Sequence, residues 1–421
     1  MTLKKGIASG NLVPFVTAGV LALSIVAVCS RYVLKAHDLR NKEYGEGTVL
    51  AMIERLRHER PSMAWVERPP YTLSNYGPGF YAVARAAGGL TRRPVSLVPQ
   101  RYVALIATLT AAALIGAVAA RKTREPVIGA MCALIFLVAP VVDGWVPWGR
   151  VDMLGVVLGL AAYVALDSTS VRLAIPTAAA FVTAGSLVKP TEALAAVPLF
   201  LYLLVRNRKR DAAAFALLVS VFGAAAWAAV VWQSQGFYFW TVFRSNLPGF
   251  SPWWGFEQTY RFLASPLMVA ALLSLAHAAV RAPATVLESP YPFGFILSTA
   301  LSALMASREG SNFNYFLGPA ALASIVIGVC GVNGLVSLHR PRAFAAIASA
   351  AAVITLPAVY DLPARLPADR PAGYQHIERL LAQRRDREQL VLADGRWIDA
   401  VLAAGYQPIV NDAYLFRTLV D

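Results

Sequence analysis

Two carboxylates three residues apart are the first groups in this chain that could do chemistry. Glu43 and Glu46 stand in the run Glu43-Tyr44-Gly45-Glu46-Gly47, a few residues after Asp38. A carboxylate held at a membrane surface could take a proton from an acceptor hydroxyl or orient it for attack, and partial burial there would raise its pKa. The same acids could instead cap a helix, because acids in a first turn meet the positive end of the helix dipole. The spacing leaves both interpretations open.

Two further clusters carry cations that could bind a phosphate. Arg150, in Trp148-Gly149-Arg150-Val151-Asp152, offers the fork of donors that suits phosphate oxygens. Lys189 precedes Pro190, which breaks a helix, so we expect the lysine almost at membrane depth. The alternatives are that Arg150 and Asp152 only anchor a helix end, and that Lys189 extends to the membrane surface.

A fourth polar run opens an apolar segment near the end of the chain. Arg308, Asn314 and Tyr315 belong to it, and we expect them to line the same cavity as the other clusters. The Trp-rich segment from Trp240 to Trp254 has two interpretations. Its aromatic rings could stack on sugars, but Trp is common at membrane interfaces without a ligand, so anchoring in the interface is favoured.

Helices that cross a membrane must position these clusters. The chain has 421 residues, of which 57% are hydrophobic and 15% charged, with a mean hydropathy of +0.54. These values exclude a large soluble protein, and backbone groups in lipid require helices rather than irregular chain. Apolar runs of about the spanning length predict about eleven spans. They lie near 12–34, 99–120, 126–142, 151–166, 172–188, 191–205, 212–232, 261–280, 290–306, 314–337 and 343–360.

The basic residues predict the orientation of these spans. With Lys4 and Lys5 in the cytoplasm, short loops rich in Lys and Arg also fall inside, as the positive-inside rule expects. The first span then acts as a retained signal anchor, and the first loop, the Trp-rich loop and the C-terminal tail lie outside the inner (plasma) membrane. The net charge of +14 then reflects topology and anionic membrane lipids, so nucleic acid is an unexpected partner.

The fold class we predict is an all-α polytopic membrane protein with two unequal parts. Residues 1–360 form the membrane domain, whose long first loop, 35–98, carries interfacial helices around Val49–Leu56 and Gly79–Leu90. Residues 361–421 form a small α/β cap, too small to be stable alone. Its expected elements are helices at 375–387 and 398–404 and strands at 389–392 and 407–410.

The chain lacks motifs for several other chemistries. It has no P-loop, no Rossmann glycine fingerprint, no zinc motif and no nucleophile elbow. Cys29, Cys132 and Cys330 all fall inside predicted spans, where we expect them to be small packing residues. We expect no cofactor; a divalent metal is possible but not expected.

These clusters, in this order, resemble the landmarks of bacterial GT-C glycosyltransferases. The branch they resemble is that of the protein O-mannosyltransferases and the lipid A aminoarabinose transferase. The matching runs are Glu43-Tyr44-Gly45-Glu46-Gly47, Tyr76-Gly77-Pro78-Gly79-Phe80-Tyr81, Arg150-Val151-Asp152-Met153-Leu154, Lys189-Pro190-Thr191 and Asn314-Tyr315-Phe316. The tail, at 391–394 and 408–412, resembles the soluble tail of many such proteins. One departure is that the family usually carries Asp at the position of Glu43.

The resemblance implies a membrane glycosyltransferase that uses a lipid-linked sugar. It would move a hexose or pentose, with inversion, from a polyprenyl-phosphate donor to a glycan, lipid or protein acceptor at the extracytoplasmic face. The base would be Glu46 or Glu43, of which Glu46 is preferred, and Arg150 and Lys189 would bind the leaving phosphate. The other expected substrate-binding residues are Asp38, Tyr76, Asp152, Arg308, Asn314 and Tyr315.

Two alternative functions come from other classes of protein. A transporter or lipid flippase for a polyprenyl-linked or anionic substrate predicts internal repeats and ionisable residues near the bilayer midplane. This chain has no visible repeat and places its polar clusters at helix ends. A non-catalytic scaffold would leave the four clusters on one predicted side without an explanation.

The orientation can be tested at the C-terminus. We expect a reporter enzyme that works only outside the cytoplasm to be active when it is fused after Asp421, because the basic loops hold the opposite side inside. Activity of a cytoplasm-specific reporter at the same position would contradict the orientation.

Overall fold

The structure is a computed structural model that describes most of the chain. The described residues are 7–38, 43–90, 96–146, 148–167, 171–244, 249–308, 311–332, 346–347, 349–353, 355, 379–381, 383 and 390–412.

Helices make up nearly all of the described structure. In the first half they are α1 (Ile7–His37), α2 (Tyr44–His58), α3 (Ala64–Glu67), α4 (Pro78–Leu90), α5 (Leu97–Thr123), α6 (Pro126–Val138), α7 (Pro140–Asp143), α8 (Asp152–Leu166) and α9 (Val171–Val188). In the second half they are α10 (Ala196–Val205), α11 (Lys209–Gln233), α12 (Pro252–Leu263), α13 (Pro266–Arg281), α14 (Pro283–Glu288), α15 (Pro290–Ala306) and α16 (Leu317–Val326). Short 3₁₀ turns at Pro190–Ala195 and Phe313–Phe316 lead into α10 and α16, and π-helical turns occur at Phe239–Arg244 and Ile327–Val332.

Prolines and capping side chains fix where several helices begin. α6, α7 and α12–α15 each have Pro in their first turn, where the missing N–H group has no intrahelical partner in any case. The hydroxyls of Ser251 and Ser265 cap α12 and α13 by accepting from backbone N–H groups. The predicted span 261–280 is corrected here, because the Ser265 cap and Pro266 break the helix and turn α13 by 71° from α12.

The lengths of the helices support a polytopic membrane protein. Four described helices are long and apolar enough to cross a membrane, or five if α12 and α13 count as one bent span. Shorter apolar helices of 10–17 residues lie between them. The count of about eleven spans stays a prediction, and most of the expected last span, 343–360, lies outside the described residues.

Close contacts between small residues bring the helices together. In α5 and α6, Gly116 and Gly129 face each other, and a Cβ atom on either would touch the other's main-chain oxygen. Such small-residue contacts let apolar helices approach in lipid, where no hydrophobic effect drives them together. The main core is built around them from apolar side chains of α1, α5, α6, α8, α15 and α16.

The two ends of the helix bundle carry different charges. At one end, the basic end, Arg121 and Lys122 of α5 both pair with Asp167 after α8, at 2.5 and 2.6 Å. Arg281 ends α13 on this side. At the other end, the site end, α8 begins and α9 ends, and residues from four of the predicted polar clusters meet there, as described below.

The first loop folds onto the site end instead of lying flat on a membrane. The predicted interfacial helix around Val49–Leu56 is the middle of α2, but its residues from Gly45 to Glu54 are buried. On one side, Val49, Met52 and Ile53 pack against Phe80 of α4 and other apolar side chains. On the other side α2 meets the C-terminal segment, so protein rather than lipid covers this helix. The helix expected at Gly79–Leu90 is α4.

The described C-terminal residues, 390–412, hold a small parallel pair of strands. β1 (Leu390–Val391) pairs with β2 (Gln407–Pro408), and α17 (Ile398–Ala403) connects them after a 3₁₀ turn at Gly395–Trp397. The expected helix at 375–387 lies largely outside the described residues. Whether 361–421 is a separate domain stays a prediction.

The glycine contact between α5 and α6 generates a stability prediction. A Cβ atom on Gly129 would lie 2.5 Å from the Gly116 oxygen and 2.8 Å from the Ala120 Cβ atom, so Gly129→Ala must push the two helices apart. We expect it to lower the thermal unfolding midpoint in detergent. Gly223→Ala, on α11, is the matched control because its Cβ atom would meet nothing within 4 Å. Ala is favoured over Gly in helices by about 1 kcal/mol. Equal midpoints for the two variants would contradict this account.

Candidate functional site

Arg150 joins two segments of the first loop at the site end. Its Nη1 atom donates to Glu43 Oε2 at 2.7 Å, and its Nη2 atom donates to the Tyr76 hydroxyl at 2.6 Å. The guanidinium also lies 5.5 Å from the centre of the Trp145 ring. A single side chain from the segment before α8 therefore fixes the positions of Glu43 and Tyr76.

Asp152 gathers a second set of partners at the start of α8. Its Oδ1 atom accepts from Lys189 Nζ and from Asn314 Nδ2, both at 2.7 Å, and its Oδ2 atom accepts from Trp145 Nε1 at 2.8 Å. The Lys189 ammonium lies 4.4 Å from the centre of the Tyr315 ring. The side chain of Asp152 is only 1% exposed, so its charge is matched by neighbours and not by water.

These two sets form one network, because Arg150 Nε lies 4.0 Å from Asp152 Oδ2. The predicted site residues that it brings together come from five separate stretches of sequence: Glu43, Tyr76, Arg150, Asp152, Lys189, Asn314 and Tyr315. The structure thus brings these residues together in one hydrogen-bonded network, and whether they line one shared cavity stays a prediction.

Three glycines, which have no side chain, allow the first loop to approach this network closely. A Cβ atom on Gly45 would overlap Arg150 Nη1, so this glycine lets the guanidinium lie against the first turn of α2. A Cβ atom on Gly77 would overlap the Leu187 main-chain oxygen, and one on Gly79 would touch Val188. The Tyr76 segment therefore rests directly on the last turn of α9, beside Lys189.

Electrostatic shifts agree with a cationic Arg150 and a neutral Tyr76. Burial alone would lower the pKa of Arg150, but the oxygen atoms of Tyr76 and Glu43 beside it outweigh burial and raise that pKa above its ordinary value. Burial raises the pKa of Tyr76, and the nearby Arg150 charge only partly opposes this. The Tyr76 hydroxyl therefore keeps its proton near neutral pH and can donate a hydrogen bond.

Glu43 and Glu46 have different surroundings although both belong to the first turn of α2. Glu43 caps the helix, since its Oε2 atom accepts from Gly45 N at 2.8 Å, and its side chain is 26% exposed. Glu46 is fully buried and forms a two-point ion pair with Arg101, at 2.7 and 2.8 Å. Its Oε1 atom also accepts from Gly149 N at 2.7 Å. The capping interpretation thus applies to this pair of acids, and both carboxylate oxygens of Glu46 are engaged by other groups. Which of the two acids acts as a base stays a prediction.

A pocket opens beside Lys189 and follows the helices toward the basic end. Its empty volume is about 720 Å³, and Asn314 and Tyr315 stand with Lys189 at its head. Most of its wall is apolar, with side chains that include Val156, Leu160, Leu301, Met305 and Leu322. The pocket therefore has a cationic head and an apolar body.

Sequence reasoning missed Arg101, Trp145 and the place of Glu192. Arg101 begins a predicted span, so the rule that drew attention to Arg150 could also have found it. Glu192 lines the pocket in a niche between α8 and α9, where a Cβ atom on Gly155 or Gly185 would meet its side chain. This contact between distant segments leaves no local pattern in the sequence.

Two predicted residues, Asp38 and Arg308, make contacts with other parts of the chain. The main-chain oxygen of Asp38 accepts from Arg101 Nη1 at 2.8 Å, just after α1. The Arg308 backbone bonds to Met305 and Ser311 and bridges to Phe250. The described part of the chain contains no group of three or more His, Cys, Asp or Glu side chains that could hold a metal ion. Metal dependence stays untested.

Comparison with solved structures identifies the fold. The chain superposes on ArnT from Cupriavidus metallidurans bound to undecaprenyl phosphate with a TM-score of 0.70 and 13% identity, over 96% of this chain and 88% of that one. The apo state of the same ArnT gives a TM-score of 0.66. The archaeal oligosaccharyltransferase AglB from Archaeoglobus fulgidus, in complex with an inhibitory peptide and a dolichol-phosphate, gives 0.59 at 11% identity, over 94% of this chain and 64% of that one.

These matches confirm the resemblance stated from the sequence at the level of the fold. The chain has the fold of GT-C membrane glycosyltransferases over most of its length. No family model and no curated protein sequence matches the chain.

The buried pair of Glu46 and Arg101 generates a prediction about stability. Glu46→Gln or Arg101→Met leaves one buried charge without its partner, so we expect each to cost about 3–5 kcal/mol of unfolding free energy. The double variant should lose much less than the sum of the two, because neither charge then remains. Thermal and denaturant unfolding in detergent would measure both. Strictly additive losses would show that the pair does not act as a unit.

Proposed function

We propose that this chain is a membrane glycosyltransferase that moves a sugar from a polyprenyl-phosphate donor to an acceptor at the extracytoplasmic face. The observation that carries the proposal is the Arg150 fork. It links a partly exposed carboxylate, Glu43, to the cationic head of an apolar pocket at Lys189 through Asp152. Transfer from a lipid-phosphate sugar requires these three parts in this order: a base for the acceptor hydroxyl, cations for the donor phosphate and an apolar channel for the lipid chain.

The donor phosphate would bind between Arg150 and Lys189. Arg150 Nε is buried and has no hydrogen-bond partner among the described residues, so it can donate to a phosphate oxygen. The Lys189 ammonium has three N–H groups, of which one is directed to Asp152, leaving others for the ligand. The apolar body of the pocket would hold the first isoprene units.

The neighbours in the comparison support a lipid-phosphate ligand. ArnT was solved with undecaprenyl phosphate and AglB with dolichol-phosphate. Both ligands combine a phosphate with a long isoprenoid chain, and the pocket of this chain offers a surface to each part.

Glu43 is the base in this proposal. Its Oε1 atom makes no hydrogen bond among the described residues, and its side chain reaches solvent. The acceptor O–H group would attack the anomeric carbon while Glu43 takes the proton. The bond between that carbon and the phosphate oxygen breaks, and its electron pair leaves with the polyprenyl phosphate. One displacement of this kind inverts the anomeric centre, and the cations stabilise the charge that develops on the leaving group.

Supporting roles follow from the same contacts. Tyr76, held by Arg150, would donate to a sugar or phosphate oxygen. Asn314 Oδ1 is buried and has no partner among the described residues, so it can accept from a sugar hydroxyl. Glu46, whose oxygen atoms are occupied by Arg101 and Gly149, holds the start of α2 in place. Asp38 and Arg308 take no step in this mechanism.

Topology and substrate range complete the proposal. The basic end faces the cytoplasm and the site end faces outward in an inner (plasma) membrane, in line with the basic loops. The donor carries a hexose or a pentose, and the acceptor is a glycan, a lipid or a protein. The 361–421 segment forms a small cap on the outer side.

A transfer assay tests whether Glu43 is the base. With a panel of radiolabelled undecaprenyl-phosphate pentoses and hexoses, and membranes of the source organism as acceptor, we expect Glu43→Gln to lower transfer about 10²–10⁴-fold. The amide keeps an oxygen that can cap α2, so the variant should fold and should still bind undecaprenyl phosphate with unchanged affinity.

Two controls make the assay decisive. Lys189→Met should weaken the binding of undecaprenyl phosphate at least tenfold, whereas Lys122→Met, at the basic end, should leave it unchanged. Full activity of Glu43→Gln would remove the base from the mechanism, and failure of the unaltered protein to transfer any sugar of the panel would overturn the proposed function.

A further inference from the structure

Two consecutive residues near the C-terminus contact both segments of the first loop that meet at Arg150. Asn411 and Asp412 follow β2 and are 3% and 4% exposed. They lie far from the network in sequence, and the mechanism above assigns them no step. Their contacts nevertheless lead to Glu43 on one side and to Tyr76 on the other.

Asn411 holds the segment that carries Tyr76. Its side-chain Oδ1 accepts from Leu73 N at 2.7 Å, and its Nδ2 donates to Leu73 O at 2.9 Å. Its own backbone N–H donates to Tyr71 O at 3.1 Å, which extends a short parallel pairing between the C-terminal segment and the first loop. One side chain therefore satisfies both main-chain groups of Leu73 in a buried place.

The position of Leu73 is passed on to Tyr76 by a tight local turn. The Ser74 hydroxyl donates to Tyr76 O at 2.8 Å and accepts from Tyr76 N at 3.2 Å. Ser74 also bonds to the Tyr81 hydroxyl at 2.8 Å. A shift of Leu73 would therefore move the Tyr76 hydroxyl relative to the guanidinium of Arg150.

Asp412 holds the first turn of α2. Its Oδ1 atom accepts from the Tyr44 hydroxyl at 2.7 Å, and Tyr44 directly follows Glu43. Next to this bond, α2 and the C-terminal segment touch through glycines. A Cβ atom on Gly47 would overlap the Gly395 carbonyl, and one on Gly395 would overlap Tyr44. The C-terminal segment thus contacts α2 at the turn that carries the proposed base.

We infer that Asn411 and Asp412 are positioning residues that set the spacing between Glu43 and Tyr76 across the Arg150 fork. This inference rests on the proposed function. The fork spans two fixed hydrogen bonds of 2.7 and 2.6 Å, and a guanidinium is planar and rigid, so the two oxygen atoms must stay at one separation. The C-terminal segment contacts both the segment that carries Tyr76 and the first turn of α2 that carries Glu43. Loss of these contacts would change the rate of the chemical step more than the affinity for the donor.

Tyr44→Phe tests the inference with a matched control. It removes only the hydroxyl that Asp412 accepts, and we expect kcat for transfer from the labelled undecaprenyl-phosphate sugars to fall about tenfold or more, with KM for the donor within twofold. Tyr406→Phe also removes a buried hydroxyl of the C-terminal segment, one that donates to Leu381 O at 2.9 Å. This control is expected to keep its kcat. Equal losses in the two variants would mean that the segment only adds general stability.

Conservative variants of the C-terminal pair sharpen the result. Asp412→Asn keeps an oxygen that can accept from Tyr44, so we expect it to retain most of the rate, whereas Asp412→Ala should lose at least as much as Tyr44→Phe. Asn411→Asp removes the donor to Leu73 O and places two oxygen atoms together, so kcat should fall in this variant too. Full kcat in Tyr44→Phe and Asp412→Ala would overturn the inference.

Combining Tyr44→Phe with Glu43→Gln distinguishes this inference from the proposed function. If Asp412 acts through Glu43, Tyr44→Phe should have little further effect on the residual rate of Glu43→Gln. If the double variant instead loses the product of the two single fold-losses in transfer rate, Tyr44 acts elsewhere, and this inference alone is overturned. Unchanged transfer in Glu43→Gln by itself would overturn the proposed base, whatever the result for Tyr44→Phe.

Discussion

The buried ion pair of Glu46 and Arg101 is the interaction on which the rest of the site depends. Arg101 lies in the first turns of α5, and its guanidinium is completely buried. A charge in that place requires a partner, and Glu46 supplies both carboxylate oxygens while Asp38 supplies a main-chain oxygen. The pair therefore fixes the first turn of α2 on the bundle. Glu43, one turn earlier, then has a defined position from which to meet Arg150.

The network that follows is a chain of alternating charges at one end of the bundle. Glu43, Arg150, Asp152 and Lys189 stand in that order, each near a neighbour of opposite sign. Because the charges are matched within the protein, the cations can stay at the edge of the apolar region without water. In the proposed function, an arriving phosphate would meet oriented donors that need no reorganisation, which is how electrostatic preorganisation lowers a barrier. The glycines at 45, 77 and 79 allow this close packing, since side chains there would overlap the neighbouring residues of the site.

Much of this arrangement could be predicted from the sequence, and the remainder could not for physical reasons. The lengths of the apolar runs predicted a polytopic helical protein, and the cost of charge at span ends drew attention to Arg150 and Lys189. The two interpretations of Glu43 and Glu46 were both reasonable, since Glu43 caps α2 and also faces Arg150. The sequence could not show that Glu46 pairs with Arg101, because this contact joins residues 55 positions apart, and the same holds for the niche around Glu192. The burial of α2 was missed because its apolar stripe looks the same whether lipid or protein covers it.

The pairing of Asn411 with Leu73 has a consequence for how the molecule is made. The two residues are separated by 338 positions, so Leu73 is synthesised long before Asn411 exists. Helices with local contacts can insert and pack during translation, whereas contacts of such high sequence separation form last. The Tyr76 segment must therefore wait, partly unsupported, until Asn411 has been made. A chain truncated before Asn411 is therefore expected to fold its helices and yet to hold the Tyr76 segment only loosely.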